Sequence, residues 1–340
     1  VDDRFILTEE TIASWMRRLD EEGDAGLVRL EEPVNKFPDF VAYIVRHLKA
    51  MCPTLGKVRI AQMLARAGLH LGASTVRRML ERDLSKDDVA VEQEPAPVTG
   101  CVVTTKRPGH IWHVDLTTVP ISGGFWVPWL PFAKFQRWPF CWWVAVVVDH
   151  ASRLVVGVAV FKCRPTSLEV CSLLGTAIRR GGSKPKYIIA DKGKEFFCKP
   201  FKEWCRRKGI RPRYGAVGEH GSIAIIERLI RSLKSECTRR ISVSFRLDQM
   251  RDEVACYATW YNQHRPHSAL GGCTPLEVYG SSSPANEEPR FEPRLRWPRK
   301  SHCARPLAEI KARRGVRLKV VLSRFESRAH LPVVELRRAA

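Results

Sequence analysis

The 340-residue chain has no long apolar run. Its longest, Phe140 to Val148, ends at Asp149 after nine residues, whereas a membrane span takes roughly 20, so a soluble protein is expected. The opening Val1-Asp2-Asp3-Arg4 is not a basic start followed by an apolar stretch, so no secretory signal is read there. The eleven cysteines include no Cys-x-x-Cys pair and are odd in number, which removes support for a zinc site or a disulfide framework. His110 with His113, or His264 with His267, are spaced to share a metal, but neither pair has cysteines at finger spacing. The cysteines are therefore expected to be reduced core residues of a cytoplasmic protein. Acidic charge is also scarce: 36 Asp and Glu face 57 Lys and Arg, a net charge of +21. That surplus favours an extended polyanion, most commonly a nucleic acid, over a ribosome-associated or anionic-membrane role.

Apolar material is ample, at 44% of residues with 10 Trp and 14 Phe, and the length suits two or three domains. Composition separates four regions. Residues 1–84 read as helical: Thr8 to Arg18 with Thr8 as N-cap and Gly23 closing it, Phe40 to Ala50, Lys57 to Ala67, and Thr75 to Glu81 capped by Ser74. The last helix carries Arg77 and Arg78, which suits the recognition helix of a helix-turn-helix in a major groove; a plain three-helix bundle with a basic face fits equally. Residues 85–108 read as a polar linker. Residues 109–280 begin with strands (Ile111 to Leu116, Cys141 to Val148, Leu154 to Phe161), interrupted by an aromatic insert at 120–140. They continue as helix and strand in turn: Ser167 to Arg179, Tyr187 to Ala190, Pro200 to Lys208, Ile210 to Tyr214, and a long helix from Ser222 to Arg239. That order implies a mixed α/β sheet covered by helices. Residues 281–340 are basic, with 15 Lys and Arg against 6 acids. There Val316 to Arg324 and Ala329 to Arg337 are able to pair as a hairpin, as a small DNA-clamping module or a solvated extension.

Three acids stand out. Asp115 interrupts an apolar strand, where a lone carboxylate is costly unless it is paired or binds a cation. Asp191 ends the strand Tyr187 to Ala190, the end at which ligand sites gather in open α/β sheets. Glu227 opens the long helix, beside a buried stripe of Ile226, Ile230, Leu233 and Cys237 and in line with Arg231 and Lys234. Each has a plain structural alternative: a strand-end Asp, a turn Asp, and an i,i+4 surface pair. Together, in a strongly basic chain, they suit phosphoryl transfer assisted by two Mg²⁺ ions, which take carboxylate and phosphate oxygens.

These residues resemble a known family. Trp112-x-x-Asp115-x-Thr117, Asp191-x-Gly193-x-Glu195-Phe196, and Glu227-Arg228 with Leu233-Lys234 resemble, in order, the three acid motifs of bacterial insertion-sequence transposases. The core of that family is ribonuclease-H-like, of the retroviral-integrase type. Tyr261-Asn262-x-x-Arg265-Pro266-His267-x-x-Leu270 followed by Thr274-Pro275 resembles the signature after that core. The resemblance covers about residues 5–280. It implies that Asp115, Asp191 and Glu227 are catalytic and hold two Mg²⁺ ions, with Mn²⁺ as a substitute. It also implies that Lys234 contacts double-stranded DNA, with Arg231, Lys192, Arg77 and Arg78 as further DNA contacts. Trp112 and Thr117 become supports, and Asp149 a turn residue outside the triad. The expected activity is hydrolysis of element ends and transfer of the freed 3′-hydroxyl into target DNA, by a homo-oligomer in the bacterial cytoplasm. Lys192 departs from the usual Asn or Arg, the aromatic insert is long, and the chain starts inside the first expected helix-turn-helix unit. The alternatives are a catalytically silent DNA-binding derivative and a ribonuclease-H-like nuclease acting on RNA hybrids.

Overall fold

The computed structural model describes residues 9–23, 37, 39–81, 105, 107–121, 137–215, 223–283 and 318–338. The cap expected at Thr8, most of the linker, the aromatic insert from 122 to 136, and the tail from 284 to 317 lie outside the described residues. The chain divides into two units, one of them Val1–Pro38 with Pro293–Arg305. Its described helix, α1 (Glu9–Glu22), closes on Gly23, whose φ of +66° suits a residue without a side chain.

The second unit holds everything else. Helices α2 (Asp39–Met51), α3 (Lys57–Arg66) and α4 (Ala73–Glu81) pack through Val41, Val45, Leu48, Ile60, Leu64 and Val76, all buried. Ser74 is not the N-cap. Helix α4 starts one residue before it, and Gly72 accepts the first backbone bonds from Thr75 and Val76 at 3.0 and 3.1 Å.

Five strands form the sheet: β1 (Ile111–Pro120), β2 (Cys141–Asp149), β3 (Val155–Phe161), β4 (Tyr187–Ala190) and β5 (Arg211–Tyr214), in the order β3-β2-β1-β4-β5. The β1–β2 and β2–β3 pairs are antiparallel; β1–β4 and β4–β5 are parallel. Every residue of β2 is buried, as a continuous apolar run requires when both faces of a strand are covered. Helices α5 (Ser167–Gly181) and α6 (Lys199–Lys208) cover one face over Trp112, Val114, Ile188 and Ala190. Helices α7 (Ala224–Leu233) and α8 (Leu247–Gln263) cover the other over Val119, Trp142, Val144 and Val146. This is the mixed sheet flanked by helices that the sequence implied.

The long helix expected to Arg239 stops earlier. Helix α7 ends at Leu233, and a π-type turn, Lys234–Thr238, follows. The apolar spacing runs through both, which hides the break from a periodicity reading. The buried stripe is Ile226, Leu229, Leu233 and Cys237, with Leu229 taking the place expected of Ile230.

The π-type turn carries the most heavily bonded ion pair of the fold. Arg265 donates to both oxygens of Glu236, at 2.7 Å each, and both side chains are 3% exposed. Arg59 of α3 adds a bond at 3.0 Å and the Tyr257 hydroxyl another at 3.2 Å. Burial pushes the Glu236 carboxyl up, but Arg265 and Arg59 outweigh it and hold it below the usual range. A second pair, Arg66 of α3 to Glu277 at 2.7 and 2.9 Å, ties α3 to the short helix α9 (Pro275–Gly280).

The signature after the core is thus structural. Besides Arg265, Asn262 grips the Val155 backbone through two bonds of 2.9 Å, and Thr274 forms a capping box with Glu277. A final hairpin, β6 (Leu318–Arg324) and β7 (Pro332–Arg338), rests on α8: Trp260 donates to the Pro332 carbonyl at 2.9 Å, and Leu331 and Val333 enter the core beneath. Six of the nine described cysteines are buried and all nine are free, but Cys163 is exposed rather than a core residue.

Removing one partner of a buried pair strands the other charge, at about 3–5 kcal/mol. Arg265→Met should therefore lower unfolding free energy by that amount in urea titrations. Arg265→Met with Glu236→Gln should recover part of the loss, because no buried carboxylate is then left without its bidentate partner, and Arg59, which loses an ion pair, is the more exposed of the two arginines. Equal losses in the single and double variants would contradict this assignment.

Candidate active site

Strand register determines where the first two acids meet. Trp112 and Val114 pack under α5 and α6, so alternation turns Asp115 toward the α7 face. Strands β1 and β4 run parallel with His113 opposite Ile189. Two further steps along that register set Asp191 level with Asp115, where β4 has just ended. Neighbouring strands lie about 4.8 Å apart, so the two carboxylates are close neighbours. Glu227, in the first turn of α7, projects from the helix that packs over β1 and β2.

The electrostatics agree with that placement. Burial, against a bond from the Leu116 N–H and with Asp191, Glu227 and Glu195 adding to it, pushes the Asp115 carboxyl up to about 6. Asp191 and Glu227 thus both act on Asp115. Among the described residues, no three His, Cys, Asp or Glu side chains stand close enough to form a ready-made metal cage. That does not conflict with magnesium: each ion takes one or two carboxylates and completes its shell with water and substrate phosphate.

A fourth acid joins them. Glu195, 5% exposed, shares with Asp191 the space above Gly193: a methyl group built there would lie 2.7 Å from Glu195 Oε1 and 2.9 Å from Asp191 Oδ1. Any side chain at 193 would push the two carboxylates apart. Arg164 holds Glu195 through two bonds of 3.1 Å and stacks on the Trp143 ring at 5.4 Å. The sequence names Glu195 within the second motif but gives no sign that it is buried. Its partner lies 31 residues earlier.

The remaining candidates separate. Lys234 is half-buried; burial and Arg239 push its ammonium pKa down, while Asp115 pulls it up, so it lies in the Asp115 field. Arg231, four residues after Glu227 in α7, and Lys192, next to Asp191 in the chain, are exposed. Arg77 and Arg78 are exposed on α4, where Arg77 pairs with Glu81 at 3.4 Å and no contact joins either to the carboxylates. Asp149 is fully buried and accepts bonds from Gly109 N, Ser152 N and Ser152 Oγ at 2.7–2.9 Å, which makes it a turn anchor. The four histidines at metal-sharing spacing each have other partners. His113 bonds His150 at 2.8 Å and is pushed down to about 3 by burial and by His150, His110 meets the Tyr187 ring, His264 meets Phe325, and His267 meets Tyr261 and Arg265.

Two integrase core domain models match residues 105–220 and 208–275, together about half of the chain and all five strands. The chain belongs to the integrase core family. Relatives include a 31.7 kDa protein of insertion element IS407 from Burkholderia multivorans, 25% identical over 65% of this chain and 74% of its own length. Another is a protein from Mycobacterium tuberculosis described as a transposase for insertion sequence element IS986/IS6110, 23% identical over 66% of this chain and 80% of its own. The solved structures include the HTLV-2 integrase catalytic core domain in complex with magnesium, 23% identical, covering 52% of this chain and 99% of that one at a TM-score of 0.38.

The raised Asp115 carboxyl makes a signed prediction. At pH 7.5 in EDTA, folding keeps Asp115 charged against burial and its neighbours, a cost of at most about 3 kcal/mol. Asp115→Asn should therefore be more stable than the wild type there. The folded carboxyl takes its proton near pH 6 and the unfolded one near 3.8. The variant's advantage should accordingly shrink as pH falls through 6 and be gone near 4. Urea titrations at three pH values test this; an advantage that does not change with pH would contradict it.

Proposed function

We propose that this integrase-core protein is a DNA transposase that hydrolyses the ends of its element and joins the freed 3′-hydroxyl to target DNA. The observation that carries the reading is the shared field of Asp115, Asp191 and Glu227, created by the β1–β4 register and by α7. Three carboxylates offer the hard oxygen donors that a pair of Mg²⁺ or Mn²⁺ ions takes. When bound, such ions supply Lewis-acid stabilisation of the attacking and leaving oxygens.

The protein's own groups do the remaining work. Asp115, within β1, and Asp191, directly after β4, supply donor oxygens from rigid backbone, and Gly193 leaves room for both Asp191 and Glu195. Arg231 and Lys234, about one and two turns beyond Glu227, hold scissile-strand phosphates against the carboxylates. Helices α2–α4 grip the element-end duplex through Arg77 and Arg78 and are braced to the core by Arg59–Glu236 and Arg66–Glu277. Lys192 contacts DNA beside Asp191. The enzyme works as a homo-oligomer, because two ends must be joined in one event, and it acts on chromosomal DNA in the bacterial cytoplasm. No described helix is long and apolar enough to cross a membrane.

Duplexes carrying the inverted repeats that flank the gene test the reading. With Mg²⁺ and a supercoiled plasmid, the wild type should nick the repeats and yield joined products. Asp191→Asn and Glu227→Gln should each reduce joining by more than about 100-fold, the loss seen even for groups one step outside a metal's ligands. Duplex binding should stay within a few-fold. Equal joining by wild type and variants would remove the triad, and binding without any joining by the wild type would favour a silent DNA-binding derivative.

A further inference from the structure

Between Lys184 and Arg213 the chain carries eleven Lys and Arg, all exposed, against three acids. Among the described residues none of the eleven makes an ion pair with a carboxylate, and the one buried acid of the stretch, Glu195, belongs to Arg164. Unpaired like charges at this density repel one another and lower the stability of the compact state. The C-terminal end of α6 accounts for Arg206, Arg207 and Lys208, which complement the helix dipole there. Of the rest, Lys184 donates to the Lys208 carbonyl at 3.0 Å and Lys202 lies over the Phe197 ring at 3.6 Å, contacts that leave their charge uncompensated.

Register places part of this charge on a defined surface. Arg211 and Arg213 alternate along β5, the edge strand, with Arg211 opposite Tyr187 and Arg213 opposite Ile189. Ile189 is opposite His113, so all of these residues face the side of the sheet from which Asp115 projects. Helix α7 packs over β1 and β2 on that side. The strip over β4 and β5 presents Tyr187 with Lys186 and Arg213 over its ring at 5.7 Å each, and Arg211 beyond. Arg231 and Lys234 lie along the helix that carries Glu227, while across the sheet Arg213 stands opposite Ile189, two residues before Asp191, and Lys186 and Arg211 extend the basic strip toward the start of β4 and β5.

We propose that the β4–β5 shelf, through Lys186, Arg211 and Arg213, binds the phosphate backbone of a second duplex, the DNA into which an end is joined. The assignment of that duplex rests on the transposase reading; the shelf as a DNA surface does not. A joining reaction brings two duplexes to one set of carboxylates, and a single basic flank holds only one. Exposed arginines on alternate strand positions read backbone charge and carry no base specificity, which suits DNA of varied sequence.

The full-length triple variant Lys186→Gln, Arg211→Gln, Arg213→Gln tests this, since none of the three touches the carboxylates. Binding to a random-sequence 30-bp duplex is measured across salt concentrations. Loss of three phosphate contacts should reduce the slope of log K against log salt by roughly 2 to 3. With flanking-repeat duplexes, nicking should stay within about twofold of wild type, while joining into a plasmid should fall about tenfold or more. An unchanged salt slope overturns the shelf as a DNA surface, whatever the catalytic result. Nicking and joining that fall in parallel overturn the second-duplex assignment and place the element end on the shelf. If the wild type neither nicks nor joins, the transposase reading fails, and the salt slope alone decides the shelf. Each single Gln variant, with a melting temperature equal to wild type, separates contact loss from misfolding by its proportionate share of the slope.

Discussion

The parallel pairing of β1 with β4 is the constraint on which the rest of the molecule depends. Carried past the last paired residues, it sets Asp115 and Asp191 side by side at the end of β4. Two carboxylates at strand spacing, one of them partly buried, repel each other, and Glu227 and Glu195 add to the repulsion. Without cations the arrangement opposes folding. Proteins retain such crowding where the missing positive charge comes from outside, and a chain of +21 that draws phosphate to carboxylates that draw divalent metal supplies that setting.

Helix α7 needs equal precision, and the polar network behind it provides it. Glu227 sits at the start of a helix that breaks into a π-type turn seven residues later, and Glu236 in that turn is clamped by Arg265 and Arg59. One buried carboxylate thereby fixes the end of α7, the end of α8 and the docking of α3. A bidentate arginine pair holds direction as well as distance, so the helical unit and the carboxylate helix share one anchor. The Asn262 grip on β3 and the Thr274 capping box close the same region.

Much of this was legible in the sequence, for identifiable reasons. Strand β2 is a nine-residue apolar run because both faces are covered, and Asp191 stands out because it follows four strand residues directly. Other features were not legible. The π-type turn preserves apolar spacing, so periodicity extended α7 to Arg239 and favoured Ile230 over Leu229. Glu195 and Glu236 look like ordinary surface acids until folding supplies partners far away, 177 residues away for Arg59. Local pattern reports which face of an element is apolar. It carries no information about which charged residue will be buried against which distant arginine. Nor does local spacing report that the sheet brings His113 to His150, 37 residues away.

Anomalous diffraction from crystals grown with Mn²⁺ and a flanking-repeat duplex tests the central claim most directly. The account predicts two manganese peaks about 3.5–4 Å apart, ligated by Asp115, Asp191 and Glu227 oxygens. Peaks held by other residues, or three carboxylates too widely spread to share a metal pair with DNA in place, would contradict it.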